Sequence, residues 1–516
     1  MPLALSNQSP LRQLVLLGEV SRQEEADQVE QVLCGQLSRL RSNPKLATLI
    51  LSDLARSRRP QLAQHVLHFM RANHVEVNVF HFGAAISACE KGGQWHLALS
   101  LLRSMPDVRV SQNVITCNAA ISASEKAGQW KLALALLNYM PDMTVKPDQI
   151  SYNAAISSCE KGGEWQLAVA LLFNMHGRLL EADGISCSAA ISACEKQGQW
   201  QVALSLLRQM PDMKLEPKEI SCNAAISACE KAGKWQLALI LLSDMSSMNL
   251  SPDKISCNAA ISACQKGGQW QLAVRLLSYM SGVRLAADEI SYSASISACE
   301  TEGQWQMALN LLRRMPQLRV TPNKISYSAA ISTCEKRGRW QLALNLLGDM
   351  NVVKVPPDQI SYNAAVSACE KGGQWQLALS ILSYMADVDV TPNEITYSAA
   401  ISACEKGQWQ VATPLLSSMT EMRLRPNKLS FSSAIRACER GHQWQLALKL
   451  LSDMFQSSLP ADEVTYSAVI GACEKGGQQV IVLSLLNIML EVALGQMAPT
   501  TVSIHGCEPI AVYFAT

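Results

Sequence analysis

The chain lacks any apolar run of the roughly 18 residues that a membrane-crossing helix requires, and no membrane span is expected. The nearest candidate, Val480 to Leu494, is broken by Ser484, Asn487 and Glu491. Its start lacks a basic segment followed by an apolar core, and Glu19, Glu24 and Glu25 are unlike a transit peptide, so no targeting signal is legible. Net charge is only +1, which gives the molecule no overall preference for polyanions; any basic surface must be local. Short CxxC pairs are missing although there are 17 cysteines, and the nearest pairs, such as Cys187 and Cys194, stand seven apart. That spacing does not suit zinc. His65, His68, His74 and His81 have no acid or cysteine set converging on them and read as surface histidines. There is no Gly-Lys-Ser/Thr phosphate loop, nucleophile elbow, HExxH, or HxE with CxxC. The expectation is a binder without metal or cofactor, and not an enzyme.

What the chain has is repetition. Eleven tryptophans fall at 95, 130, 165, 200, 235, 270, 305, 340, 375, 409 and 444. Each interval is 35 except the one ending at Trp409, where a glycine is missing before Gln408. A period in this range marks a stacked array with one continuous core, so length does not translate into several globular domains. Residues 1–43 lie off the beat; Gln23 to Leu40 has helical spacing and is expected to cap the array. Residues 44–78 form a degenerate first repeat with Pro60 in the tryptophan slot, and 79–462 hold eleven regular repeats. Residues 463–497 form a degenerate last repeat, and 498–516 an irregular tail. Eleven cysteines share one slot (Cys159 in the third regular repeat) and four share another, a packing pattern that fits a reducing compartment.

Within Gln149 to Asp183, Ser151 reads as an N-cap for a helix carrying Tyr152, Ile156 and Cys159. Gly162 and Gly163 stop it. Trp165, Ala168, Leu172 and Met175 then form the stripe of a second helix, which marks the tryptophans and methionines as packing residues rather than stacking platforms. In seven units the following link carries a proline, as at Pro147. The predicted unit is a helical hairpin, and the predicted fold is all-α.

The pattern I-S-Y-N-A-A-I, then C-E-K-G-G, then A-L-x-L-L, M and P-D resembles the pentatricopeptide repeat family, of its plain 35-residue type and closest to algal members. The likeness runs from about Pro44 to Met497. It implies a right-handed superhelical α-solenoid of about twelve hairpins that binds single-stranded RNA, one base per repeat. It also implies an organelle, chloroplast before mitochondrion, a monomer, and a role in RNA processing, stability or translation alongside RNA-processing proteins. The alternative is a protein-interaction scaffold using the same concave face.

In that family the base is read near the start of the first helix, at the place of Asn153, together with the unit's last residue, at the place of Asp183. Carried over, Asn118/Asp148, Asn153/Asp183, Asn223/Asp253 and Asn258/Asp288 are uridine-type pairs. Ser293/Asn323 and Ser398/Asn427 are adenine-type, Ser328/Asp358 and Ser432/Asp462 guanine-type, and Asn363/Asn393 prefers pyrimidines. Gly83/Asn113 and Ser188/Lys218 depart from the pattern and stay unassigned; Thr48/Asn78 would read adenine. The implied target is 5′-UUNUUAGYAG-3′. The apolar residue three before each reader packs on the base: Ile115, Ile150, Ile185, Ile220, Ile255, Ile290, Ile325, Ile360 and Ile395. Chemically, an Asn amide offers a donor and an acceptor while a Ser hydroxyl is shorter; variation confined to these slots favours recognition.

A basic slot precedes the glycine turn in eleven of the twelve units from Val79 onward, with Thr301 the exception. Lys126, Lys161, Lys196, Lys231, Lys266, Lys336, Lys371 and Lys406 belong to it and would track phosphates. The competing reading is a solvated helix end where cations favour the dipole. A preceding glutamate in most units, such as Glu160, dilutes the field.

Overall fold

Two amphipathic segments separated by a glycine turn must close on each other to bury their apolar faces, and the computed structural model shows this in every repeat it describes. The structure describes residues 33–493 apart from Gln36 and Leu179. Among these residues all regular structure is helical. The fold is an α-solenoid. Most of the expected N-terminal cap and the whole tail from 498 lie outside the described residues; of the cap, Leu33 and Leu40 are buried.

Gln149–Gly162 and Trp165–Gly177 typify the hairpin. Tyr152, Ala155, Ile156 and Cys159 are buried on the first helix, and Ala168, Leu172 and Met175 on the second. Full burial of one such large side chain contributes about 1.5–3 kcal/mol. Ala168 at the contact lets the helices come close. Gly163 at φ +75° supplies the left-handed C-cap that reverses the chain. The repeat at 44–78 is also a hairpin, Pro44–Arg56 and Pro60–Ala72, in which Pro60 fills the first helical position, where no amide is needed.

One expectation is corrected. Ser151 is not the N-cap. Asp148 is, and Ser151 is the third helical residue, fully buried. The Asp148 carboxylate accepts from Ser151 N–H at 2.9 Å, and the Asp148 N–H donates to Ser151 Oγ at 3.2 Å. This reciprocal box suits the motif because each partner satisfies an orphan amide of the helix end. His81 takes the serine position in its own repeat. It is therefore a buried capping residue rather than a surface histidine, with Nδ1 accepting from Asn78 N–H and Nε2 against Pro44 O at 3.0 Å.

Contacts divide the chain into two compact units, 1–263 and 264–516, with the division inside the helix Lys254–Lys266. Within each, first helices pack against the first helix of the next repeat, and each second helix also touches that following first helix. The tryptophans are half-buried at this junction. A Cβ added to Gly162 would sit 2.4 Å from Trp130 Cδ1, and one on Gly476 equally close to Trp444. So the first glycine of the turn receives the indole of the preceding repeat. The slot cysteines are buried in the core, where loss of solvation pushes thiols such as Cys159 up to about 11 and Cys299 to about 12.

Candidate nucleic-acid interface

The N-terminal turn of each first helix carries three things one above another: an exposed apolar residue, the reader slot one turn on, and the N-cap of the next helix. The apolar residues stand out. Ile115, Ile150, Ile185, Ile220, Ile255, Ile290, Ile325, Ile360 and Ile395 are all 60–66% exposed, in a chain whose other slot residues are mostly covered. Phe80, Leu429 and Val464 occupy the same register in their repeats and are also exposed. Following isoleucine alone misses these three; the 35-residue register identifies them. Large apolar side chains repeated on one face mark a binding surface more than a folding need.

The readers are recessed between these residues. Asn118, Asn223, Ser293, Ser328, Ser398 and Ser432 are each no more than 8% exposed. The reader and partner slots meet across thirty residues. Asn118 Nδ2 donates to Asp148 Oδ1 at 3.0 Å, Asn153 to Asp183 Oδ2 at 2.9 Å, and Asn223 to Asp253 Oδ2 at 3.0 Å. Asn363 Nδ2 reaches Asn393 Oδ1 at 3.3 Å, as does Ser293 Oγ to Asn323. The partner thus holds the reader while capping the next helix, a task worth about 1 kcal/mol by itself. Burial alone would push the Asp148 carboxyl up; hydrogen bonds from Ser151 N–H, Asn118 and the Ser151 hydroxyl outweigh it and hold it below the usual range. The Oδ1 atoms of Asn153 and Asn223 are buried and accept no hydrogen bond. An amide with an unused acceptor is set for a donor to arrive.

What the structure gives Asp288 is a capping role: it is the N-cap of Glu289–Glu302. Its Oδ1 accepts from Ser291 N–H at 3.1 Å and from Ser291 Oγ at 3.0 Å, and its own N–H donates to Ser291 Oγ at 3.1 Å. The acid closing one repeat satisfies the amides opening the next helix.

Ser328 and Ser398 are arranged differently. Ser328 Oγ meets Ser361 Oγ at 2.8 Å, and Ser361 Oγ donates to Asp358 at 2.8 Å, so the buried capping serine relays between reader and partner. Ser398, Ser430 and Asn427 repeat the relay at 2.7 and 2.9 Å. In the two Ser/Asp repeats the partner carboxylate is also held by the first helical lysine: Lys324 to Asp358 at 3.3 Å and Lys428 to Asp462 at 3.0 Å. For Asp462, burial is outweighed by Thr465 and Lys428, which pull the carboxyl down to about 2. Neither the relay serines nor these lysines stand out in the sequence, because they look like ordinary cap and surface residues. Ser188 and Lys218 are not joined: Ser188 Oγ bonds back to Gly184 O, and Lys218 caps without its side chain.

The basic slot has partners that its register does not advertise. Lys126 reaches Glu90 at 2.7 Å, Lys161 reaches Glu125 and Lys371 reaches Glu335 at 2.9 Å, and Lys231 reaches Glu195 at 3.1 Å. Lys196 donates to the Glu160 carbonyl at 2.7 Å. These lysines tie one repeat to the previous one, and a phosphate would compete with a carboxylate for each ammonium. Lys336 and Lys406 form no ion pair among the described residues.

A stack of helical hairpins with a recessed polar slot and an exposed apolar guard in each defines a helical-repeat binding protein. Models of the PPR repeat match residues 80–110, 150–178, 185–215, 220–250 and 325–353. The PPR repeat family matches 112–161 and 357–406, and the pentatricopeptide repeat domain matches 240–302 and 285–337. The chain belongs to the pentatricopeptide repeat family. Its fold is similar to that of the pentatricopeptide repeat protein PPR10 from maize, at 22% identity and a TM-score of 0.53 over 94% of this chain and 69% of that one. PPR10 in complex with an 18-nt psaJ RNA element matches at 21% identity and TM-score 0.44, covering 92% and 67%. The PPR domain of Arabidopsis thaliana protein-only RNase P 1 in complex with tRNA matches at 15% and 0.33, covering 36% and 98%. No curated protein matches the sequence.

Proposed function

We propose that this chain binds single-stranded RNA along its first-helix face, one base per repeat, in the register 5′-UUNUUAGYAG-3′. The observation that carries the reading is the row of isoleucines, each 60–66% exposed, standing over recessed Asn/Ser readers held by their partners. Apolar side chains in water on both sides of a polar slot suit a flat base: they cover its faces while the slot meets its edge. Family membership points the same way. The protein acts by occupancy and by recruiting RNA-processing proteins rather than by chemistry of its own. An organellar setting, chloroplast before mitochondrion, belongs to the same proposal and rests on the family alone.

The test is binding of purified protein to fluorescein-labelled UUCUUAGCAG, its scramble and its DNA counterpart at low and high salt. A preference of roughly tenfold for the cognate RNA, about 1.4 kcal/mol, that shifts on Asn153→Ser supports the reading. Equal binding to all of them refutes base recognition, and no binding at either salt moves the assignment to a protein scaffold.

A further inference from the structure

The repeat at 79–113 departs from every other in its reader slot, which holds Gly83. The vacancy is real space: a Cβ built there would meet nothing nearer than Thr116 Cγ2 at 3.9 Å. A cleft of 360 Å³ opens at this point. Phe80, 68% exposed, and Ile115, 64% exposed, line it together with Thr48 and Gly83. Phe80 is the one aromatic residue in the guard slot, where the other regular repeats carry isoleucine or leucine.

Asn113 borders the same cleft. Its Oδ1 accepts from Thr116 N–H at 2.9 Å to cap the next helix, and its Nδ2 has no partner among the described residues. In the next repeat, Asn118 fills the corresponding position against Asp148 at 3.0 Å. Lys91 also lines the cleft, with no glutamate tied to it among the described residues. An aromatic face, an amide donor without a partner and a cation around an open cleft are the elements of a nucleotide seat.

We infer that the 79–113 repeat is a purine subsite, seating the nucleotide 5′ to the first uridine by size and stacking rather than by edge reading. This rests on the RNA-binding reading above and goes beyond it, since the slot pattern assigns no base there. The absent reader makes room for the second ring. Phe80 rewards the larger purine face, Asn113 Nδ2 donates to a ring nitrogen or exocyclic oxygen, and Lys91 meets the flanking phosphate.

The experiment measures affinities of the full chain for RNAs of the form 5′-XUUCUUAGCAG-3′ with X as A, G, C or U, beside a scramble of the shared segment. Expected is a preference for A and G over C and U of roughly 5- to 10-fold, about one stacking interaction. Phe80→Ala, at an exposed side chain, should bring the four together without lowering the melting temperature. Gly83→Asn should turn the preference toward pyrimidines. Equal affinities for all X in the unaltered protein, with the shared segment still beating its scramble, overturn the purine subsite and leave the RNA reading standing. A pyrimidine preference, or a purine preference that survives Phe80→Ala, also overturns it. If the scramble binds equally, the functional reading fails and the subsite with it.

Discussion

Glu370 is where the junction geometry makes its sharpest demand. At five junctions the lysine of one repeat reaches back to the preceding glutamate at 2.7–3.1 Å. By register Glu370 would take Lys406. The glycine missing from the 394–427 repeat instead tightens Cys404–Lys406 into a 3-10 turn ending at Gly407, φ +110°. Neither residue makes an ion pair among the described residues. Burial, opposed by Lys371 and reinforced by Glu335 and Glu405, pushes the Glu370 carboxyl up from 4.5 to about 7. The folded protein therefore holds this proton more tightly than the unfolded chain. Stability falls as pH rises from 4.5 to about 7, and above that window the full cost of the charge is present. A fully shielded group would lose about 3 kcal/mol over such a span, and partial exposure reduces that to about 1–2 kcal/mol. Glu370→Gln should recover this amount near pH 8 and nothing near pH 4.5. A repeat array opens in segments, so hydrogen exchange of amides in Gln359–Lys371 is the readout. Glu335→Gln is the control: it removes a carboxylate that Lys371 holds at 2.9 Å, and should weaken its junction by up to about 1 kcal/mol. No gain at alkaline pH, or an equal gain at both, refutes the orphaned-charge reasoning.

Two further outcomes bear on the interface. Ile360 is 64% exposed, so Ile360→Ala should cost the fold less than about 1 kcal/mol. If a base packs there, affinity for UUCUUAGCAG should drop roughly 5-fold; unchanged affinity with an unchanged melt would remove Ile360 from the interface. Eleven lysine or arginine contacts to phosphate would give a slope of log affinity against log salt near −8, at about 0.7 per contact. With several lysines engaged by glutamates the slope should be about −4 or shallower, and a measured value near −8 would mean that phosphates displace the carboxylates.

The repeat, its hairpin and its packing residues were all legible, because each follows from a period that burial imposes on every copy. Asn153 and Asp183 were paired only through resemblance, and the structure supplies the contact between them. For Asp288 the resemblance named a reader's partner, and the structure adds the cap that the acid makes on Ser291. Misreading Ser151 as the cap had a physical source: serine satisfies both the N-cap and the third helical position of a capping box, and only backbone geometry separates them. Phe80 and the Gly83 cleft escaped because a missing side chain leaves no motif. The lysine ladder is the instructive case. Glu and Lys of successive repeats meet at a separation of 36, a relation invisible while each 35-residue copy is aligned on itself. Yet the chain contains the clue. The repeat that replaces the glutamate with Gln265 is followed, 36 residues later, by the only repeat that replaces the cation, Thr301. A cation kept for phosphate would have no reason to disappear where the neighbouring carboxylate does. The joint loss indicates that the junction pair is the unit being maintained, which on the proposed RNA reading leaves recognition to the isoleucine guards and the recessed slots between them.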